Sequence, residues 1–172
     1  MKNPAGWSPE YLLLLLAVKR ILKWWLPVAL VILVALQFFG TSPGNPPVKN
    51  DFLTAVKPPP AIAASLRAAC YDCHSHETLW PWYSRIAPVA WLIASDVSEG
   101  REHLNFSDWP VAADRAVKKL DRINEVLDYR EMPPKKYTLI HAGARLTEAQ
   151  RQAILDWTEA TAKKISEPLS NQ

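Results

Sequence analysis

The sequence predicts an all-α protein in which one membrane-spanning helix precedes a small helical domain. An uncharged apolar run, WWLPVALVILVALQFF, occupies residues 24–39. Four later segments carry apolar residues at helical spacing, and no stretch shows the convincing apolar–polar alternation that a half-buried strand would have. These observations together favour a helical fold class with a single anchor.

The apolar run predicts a membrane anchor at residues 21–40. Ile21 and Leu22 extend the run, and Lys23 can snorkel toward the headgroups, so that the segment reaches the length a bilayer requires. Two tryptophans at the start of the run lie where an interfacial aromatic belt is expected. A cleaved signal peptide is the alternative, but two bulky phenylalanines stand where its small-residue cleavage site would lie.

The charge distribution predicts the orientation of the anchor. Lys19, Arg20 and Lys23 precede the run, whereas only Lys49 follows it closely. The positive-inside rule therefore places residues 1–20 in the cytoplasm, and the domain on the periplasmic side of the cytoplasmic membrane. From residue 24 onward, 16 basic and 16 acidic side chains balance. No basic patch therefore favours nucleic acid as a partner.

The segments around the anchor have different compositions. The run YLLLLLAV at 11–18 is too short to span a bilayer and is expected to form an interfacial helix on the inner face. Residues 41–58 are rich in proline and polar residues, which predicts an extended, semi-rigid linker. The domain is then expected at 59–165, followed by a tail at 166–172.

The sequence predicts four helices in this domain. The first covers about 61–74, and the second starts near Val89 and stops at Gly100, a residue typical of helix C-termini. The third begins near Ser107, and the fourth begins at Thr147, where a glutamine three residues later completes a capping box. Three of the helices have an apolar face: Ile62, Leu66, Ala69 and Cys73 in the first; Trp109, Ala113, Ala116, Leu120, Ile123 and Leu127 in the third; Ile154, Trp157 and Thr161 in the fourth.

The most informative motif lies at the end of the first predicted helix. Residues 70–74 read Cys-Tyr-Asp-Cys-His, the C-x-x-C-H pattern of covalent haem attachment. Residues three apart share a helix face, so Cys70 and Cys73 can each bond one vinyl group along a haem edge. The adjacent His74 can then ligate the iron from one side. The pattern predicts one covalently bound haem c.

Met132 is the candidate for the second axial ligand. It is the only methionine besides the initiator, and it stands in the sequence Glu-Met-Pro-Pro. The two prolines restrict the backbone and reduce the entropy lost when a weak thioether ligand binds. His/Met ligation would raise the reduction potential relative to His/His. His103 is the rival for this position, whereas His76 and His141 are expected to have other roles.

Two further possibilities concern the same part of the chain. One is a zinc site built from four closely spaced residues, Cys70, Cys73, His74 and His76. Their spacing is too tight for them to surround one tetrahedral ion easily. The other is that a propionate of the haem is bonded by polar groups that follow the motif, Trp82, Tyr83 and Arg85. A loop whose aromatic side chains simply pack together is the simpler interpretation of that second set.

These motifs resemble a known family. The stretch CYDCHSHETLWPWYSRIAP, with VSEGREHLNFSDW after it, is similar to the membrane-anchored haem-binding domain proteins of bacteria. The order C-x-x-C-H, helices, Met-Pro-Pro and a capped terminal helix also resembles small class I bacterial cytochromes c. The resemblance covers residues 57–165, and it implies haem binding in a cytochrome c-like fold. Between the two motifs the chain departs from ordinary cytochromes c.

The function expected from the sequence is electron transfer. An iron with two protein ligands has no open position for a substrate, so an electron carrier is favoured over an enzyme. The expected partners are the lipid bilayer and a redox protein that the sequence does not identify. The alternative is a haem-based sensor or a peroxidase-like enzyme, in which the sixth iron position is open or weakly held.

Overall fold

The computed structural model describes residues 9–39 and 44–167, and these residues are helical with intervening turns. No β-strand forms within these two ranges, and their extended pairing is limited to an isolated bridge between Asn50 and Asp108. The all-α prediction is therefore confirmed. The helices are α1 (Pro9–Leu36), α2 (Phe52–Val56), α3 (Pro60–Ala69), α4 (Tyr71–His74), α5 (Val89–His103), α6 (Ala113–Asp128), α7 (Lys135–Ile140) and α8 (Glu148–Ser166).

Helix α1 is one continuous element rather than the two that the sequence suggested. It includes the 11–18 run and, with the turn Gln37–Phe39, forms a segment of 31 residues that is long and apolar enough to cross a bilayer. The basic residues between the two apolar runs do not interrupt it, because lysine and arginine are good helix formers. Residues 1–8 of the predicted cytoplasmic segment, 40–43 around the start of the predicted linker, and 168–172 of the predicted tail lie outside the described residues.

The described part of the predicted linker folds onto the domain. Asp51 caps α2 by accepting a hydrogen bond from the Thr54 N–H at 2.9 Å. Phe52 is fully buried, and its ring centroid lies 5.0 Å from that of Phe106 and 4.5 Å from that of Trp109. Burial of one such side chain contributes about 1.5–3 kcal/mol. The proline-rich composition predicted an extended segment, but this burial outweighs that tendency.

The first predicted helix is divided at Cys70 into α3 and α4. The backbone of Cys70 departs from helical geometry at φ −125°, yet its carbonyl still accepts a hydrogen bond from the His74 N–H at 2.9 Å. Three of the four predicted core positions of this segment are buried: Ile62, Leu66 and Ala69. The bend changes the direction of the chain just as it enters the cysteine motif.

Helices α5 and α6 have different ends from those predicted. Helix α5 passes through Gly100 and ends at His103. Gly100 does not end the helix; it allows α5 to approach the backbone of Cys73 closely. Helix α6 starts at Ala113, not near Ser107, whose hydroxyl accepts a hydrogen bond from the His76 N–H at 2.9 Å instead of capping a helix. Trp109 is buried but precedes α6, and Ala113 is exposed.

Helices α6 and α8 form the regular part of the domain. The buried stripe of α6 agrees with the predicted one at Ala116, Leu120, Ile123 and Leu127. The predicted capping box of α8 is present, with the Gln150 N–H donating to Thr147 Oγ1 at 3.2 Å. Asn124 links the two helices by donating to Thr158 Oγ1 at 3.0 Å. The core that these helices share with α2 and α3 supports the cysteine motif from one side.

Candidate functional site

The cysteine motif packs against the C-terminal half of α5 through a contact that only glycine permits. A Cβ atom on Gly100 would lie 2.7 Å from the backbone oxygen of Cys73 and 3.3 Å from its Cβ. Real Cβ atoms do not approach a carbonyl oxygen so closely, so any side chain at this position would push the two segments apart. Gly100 was predicted to end the helix, and its role in this contact was not predicted from the sequence.

The imidazole of His74 is oriented by two backbone carbonyls of α5 and the residue that follows it. His74 Nδ1 lies 2.8 Å from the Gly100 oxygen and 3.1 Å from the Leu104 oxygen. Since carbonyls only accept hydrogen bonds, Nδ1 carries the proton and donates it, and Nε2 keeps its lone pair. Histidines that bind metals through one ring nitrogen characteristically donate from the other in this way.

The surroundings of His74 also favour its neutral form. Burial lowers the pKa of His74, and the hydrogen bonds to Leu104 and Gly100 oppose this shift. Within the described residues, Nε2 of His74 makes no hydrogen bond. A neutral imidazole with an unengaged Nε2 is the form that ligates haem iron, so the geometry of His74 fits that role.

Both cysteines are free and form no disulfide with each other. Burial raises the pKa of Cys70 to about 12, with a further contribution from Cys73. Burial, followed by the charge of Asp72, raises the pKa of Cys73 to about 11. The two side chains are therefore thiols at neutral pH. A pair of unlinked thiols beside an oriented imidazole is the donor set that a covalently held haem requires.

The segment after Met132 docks beside the motif through Asp72. Tyr137 on α7 donates a hydrogen bond to Asp72 Oδ2 at 2.6 Å, and the Leu79 N–H donates to Asp72 Oδ1 at 3.1 Å. Lys136 forms a salt bridge of 2.8 Å with Asp96 of α5. These contacts were not predicted from the sequence, because Asp72 occupies a variable position of C-x-x-C-H and residues 135–140 carry no clear helical pattern.

Met132 lies between α6 and α7, and its backbone is held in place. Its N–H donates to the Val126 oxygen at 3.2 Å, and its carbonyl accepts from Arg151 Nη1 at 3.4 Å. The side chain is half-buried and makes no hydrogen bond to the motif within the described residues. The structure thus brings Cys70, Cys73 and His74 together in one turn, while ligation by Met132 stays a prediction.

The other histidines are occupied elsewhere. His103, the rival distal ligand, is exposed, and its Nδ1 is 2.9 Å from the Glu99 oxygen of its own helix. Both ring nitrogens of His76 have partners at 2.9 Å, the Pro47 oxygen for Nδ1 and the Asn105 amide for Nε2. His141 stacks on Tyr137 with ring centroids 4.1 Å apart. No group of three or more His, Cys, Asp or Glu side chains is placed to hold a metal ion in the described parts of the chain.

Arg101 is a further residue of the site, and it was not predicted from the sequence. Its Nε donates to the Ser75 oxygen at 2.8 Å, directly after the motif. Its Nη2 donates to Asn45 Oδ1 at 2.8 Å and to Thr78 Oγ1 at 3.0 Å. Arg101 therefore joins three separate segments, and it holds the chain that leaves His74 against α5. No sequence signal marks it, because its partners are mainly neutral oxygens from distant positions.

Comparison with known proteins supports haem binding by this chain. Residues 31–160 match the sequence profile described as the haem-binding domain. Over 92 residues the chain is 30% identical to cytochrome c peroxidase Ccp of Escherichia coli (strain K12). The aligned region is 51% of this chain and 20% of that protein. The chain therefore spans about a fifth of the length of this curated relative. No solved structure matches the chain. Since the profile covers most of the sequence, including the cysteine motif and Met132, the chain belongs to the haem-binding domain family.

Proposed function

We propose that this chain is a membrane-anchored monohaem c-type cytochrome that transfers electrons on the outer side of the cytoplasmic membrane. The observation that carries the proposal is the orientation of His74, whose Nδ1 is 2.8 Å from the Gly100 oxygen while Nε2 stays unengaged. Membership of the haem-binding domain family supports haem as the group that this imidazole ligates.

Three residues would hold the haem in one helical turn. The thiols of Cys70 and Cys73 would each add to a vinyl group and form a thioether. His74 would supply the proximal ligand through Nε2. Tethering of this kind suits a small domain, since a small domain cannot enclose so large a group completely.

Met132 is proposed as the distal ligand. The hydrogen bond from Tyr137 to Asp72 brings the segment after Met132 to the motif, which supports this assignment. When bound, the haem would supply a one-electron iron couple, and a thioether ligand would raise its potential. With two protein ligands in place there is no free position for a substrate, so the expected activity is electron transfer to or from another protein.

The proposed location follows from α1 and the charges that surround its apolar part. Within the segment Pro9–Phe39, a stretch of 18 residues has a mean hydropathy of 2.0, and none of that stretch is buried within the protein. Lys19, Arg20 and Lys23 would remain on the cytoplasmic side by the positive-inside rule. Residues 44–167 would then lie in the periplasm, where a soluble or membrane-bound redox protein would be the partner.

The mass of the mature protein tests covalent attachment directly. The chain produced in cells that install haem c should be heavier than its amino acids by one haem, and Cys70→Ala together with Cys73→Ala should remove that increment. A His74→Ala variant that keeps the mass increment but loses the low-spin spectrum would support ligation by His74. A mature chain with the mass of bare amino acids would contradict the c-type proposal.

A second function is favoured by one comparison. The similarity to a protein named cytochrome c peroxidase supports a haem whose sixth position is open or weakly held. Carbon monoxide binding separates the two functions. Slow binding of carbon monoxide by the reduced unmodified protein, together with rapid binding by Met132→Ala, would favour the electron carrier. Rapid binding by the unmodified protein, with no effect of Met132→Ala, would favour the sensor or enzyme.

A further inference from the structure

An unusually apolar surface lies between the cysteine motif and the middle of α5. Residues 78–95 carry a single charged side chain, Arg85. They form the turn Trp82–Arg85 and the first half of α5. Trp82 is 77% exposed and Leu92 is 66% exposed, and Ile86 and Val89 are exposed as well. A concentration of exposed apolar side chains in one segment of a folded domain indicates an interaction site.

This surface adjoins the end of α1. The Ala87 N–H donates to Gln37 Oε1 at 3.0 Å, and Gln37 Nε2 donates back to the Ala87 oxygen at 3.3 Å. Trp91 Nε1 donates to the Phe39 oxygen at 3.2 Å. These bonds join the domain to the last apolar residues of the candidate span. With α1 in a bilayer, the residues on either side of Ala87 would lie at the depth where α1 leaves it.

We propose that the surface formed by Trp82, Arg85, Ile86, Val89 and Leu92 rests in the interfacial layer of the bilayer, on the side where α1 emerges. This membrane-docking surface rests on the proposed anchoring of the chain by α1. It is a separate contact from the span, because α1 can cross the bilayer whether or not the side chains of this surface meet lipid.

The chemistry of the docking surface suits phospholipid. An indole ring such as that of Trp82 favours the boundary between headgroups and acyl chains. The guanidinium of Arg85 forms no salt bridge within the described residues and can donate to a lipid phosphate. The aliphatic side chains beside it would enter the apolar layer. The first acidic residue along α5, Asp96, is paired with Lys136.

The docking surface is distinct from the haem motif. The motif touches α5 at Gly100, which is 11 residues beyond Val89 in the sequence. At a rise of about 1.5 Å per residue, the two positions are separated by about 16 Å along the helix axis. Docking would thus act with the bonds to Gln37 and Phe39 to hold the domain in one orientation. The C-terminal end of α5, which His74 contacts, would then keep a set position relative to the bilayer.

Thiol accessibility in the full-length haem-loaded protein tests the proposal. Three single variants, Leu92→Cys, Val111→Cys and Val31→Cys, are placed in nanodiscs of phosphatidylcholine and phosphatidylglycerol and treated with a charged, water-soluble maleimide. Mass measurement beforehand establishes that the two native thiols are consumed by haem. Val111 is the matched control, because it is 89% exposed and lies outside the docking surface, just before α6. Val31 reports on α1.

The expected result is that the thiol at position 92 reacts about tenfold more slowly than that at 111, since an apolar environment that raises a thiol pKa by one unit removes about nine-tenths of the thiolate. Equal rates at 92 and 111, with slow reaction at 31, would overturn the docking and leave the anchor intact. Fast reaction at 31 would overturn the anchor and the docking together.

A second variant excludes the haem as the group that covers this surface. Leu92→Glu should leave the visible spectrum and the bound haem unchanged, because its side chain faces lipid. A displaced Soret band or loss of haem in Leu92→Glu would overturn the proposal, since it would place Leu92 against the porphyrin.

Arg85→Gln should raise the modification rate of Leu92→Cys in nanodiscs, and this rise should disappear when phosphatidylglycerol is omitted.

Discussion

The α6–α8 pair and the region that joins α3, α4 and α5 are held together in different ways. In the first, side chains at helical spacing pack against each other, and the capping box of Thr147 and Gln150 starts α8. In the second, polar side chains form hydrogen bonds to the backbone of distant segments: His74 donates to the Gly100 oxygen, and Arg101 donates to the Ser75 oxygen. The pair is encoded by local pattern, whereas the motif region depends on tertiary contacts.

The largest effect on stability is expected when a buried side chain of the α6–α8 pair is truncated. Leu120→Ala removes a fully buried side chain of α6, and the free energy of unfolding should fall by about 2–5 kcal/mol. The spectrum of bound haem should be retained, because the motif region is held by other contacts. Denaturant unfolding monitored by circular dichroism measures the loss. The exposed control Val111→Ala should change stability by no more than about 0.5 kcal/mol.

A smaller loss with a functional consequence is expected at Gly100. The added methyl of Gly100→Ala would lie 2.7 Å from the Cys73 oxygen, so α4 and α5 must separate at a cost of about 1–3 kcal/mol. The His74 hydrogen bond to the Gly100 oxygen should weaken, and the haem spectrum should change. Gly143→Ala is the matched control, since nothing lies within 4 Å of its added Cβ. An unchanged spectrum in Gly100→Ala would contradict the importance of this contact.

The docking of α7 provides a third test. Tyr137→Phe removes a hydrogen bond of 2.6 Å to Asp72 and should lower the free energy of unfolding by about 1.5 kcal/mol, since the acceptor is charged. If this bond holds the Met132 segment in place, carbon monoxide should also bind faster to the reduced protein. Tyr129→Phe, at a side chain that is 70% exposed, is the control. Equal rates of carbon monoxide binding in the two variants would contradict a role of α7 in holding the distal ligand.

The smallest effect at neutral pH concerns the thiols of the haem-free protein. Burial raises the pKa of Cys73 to about 11 and that of Cys70 to about 12, above the value of about 8.5 expected in an unfolded chain. The folded state therefore holds these protons more tightly, and its stability should fall as the pH rises through the window from about 8.5 to about 12. Alkylation at pH 8 should be slow until denaturant is added. Rapid alkylation of the folded protein at pH 8 would contradict this environment.

Individual residues show how far the sequence could lead. The cysteine motif, the apolar stripe of α6 and the cap of α8 were predicted because each depends on residues within a few positions of one another. Phe52 was missed because its partners, Phe106 and Trp109, lie more than 50 residues away. Asp72 and Tyr137 were missed for the same reason, since neither carries a local pattern. Ser107 was interpreted as a helix cap although its hydroxyl is used by His76.

From its residue pattern alone, the chain could be recognised as helical, with one apolar helix able to cross a membrane and a C-x-x-C-H motif suited to haem. Such features are local, because helical periodicity and the spacing of ligands are set by the geometry of a few successive residues. The tertiary structure decided which nitrogen of His74 is free, why Gly100 cannot carry a side chain, and where the domain meets the end of α1. Each of these depends on distances between atoms that are far apart in the chain, and only packing of the whole domain determines those distances.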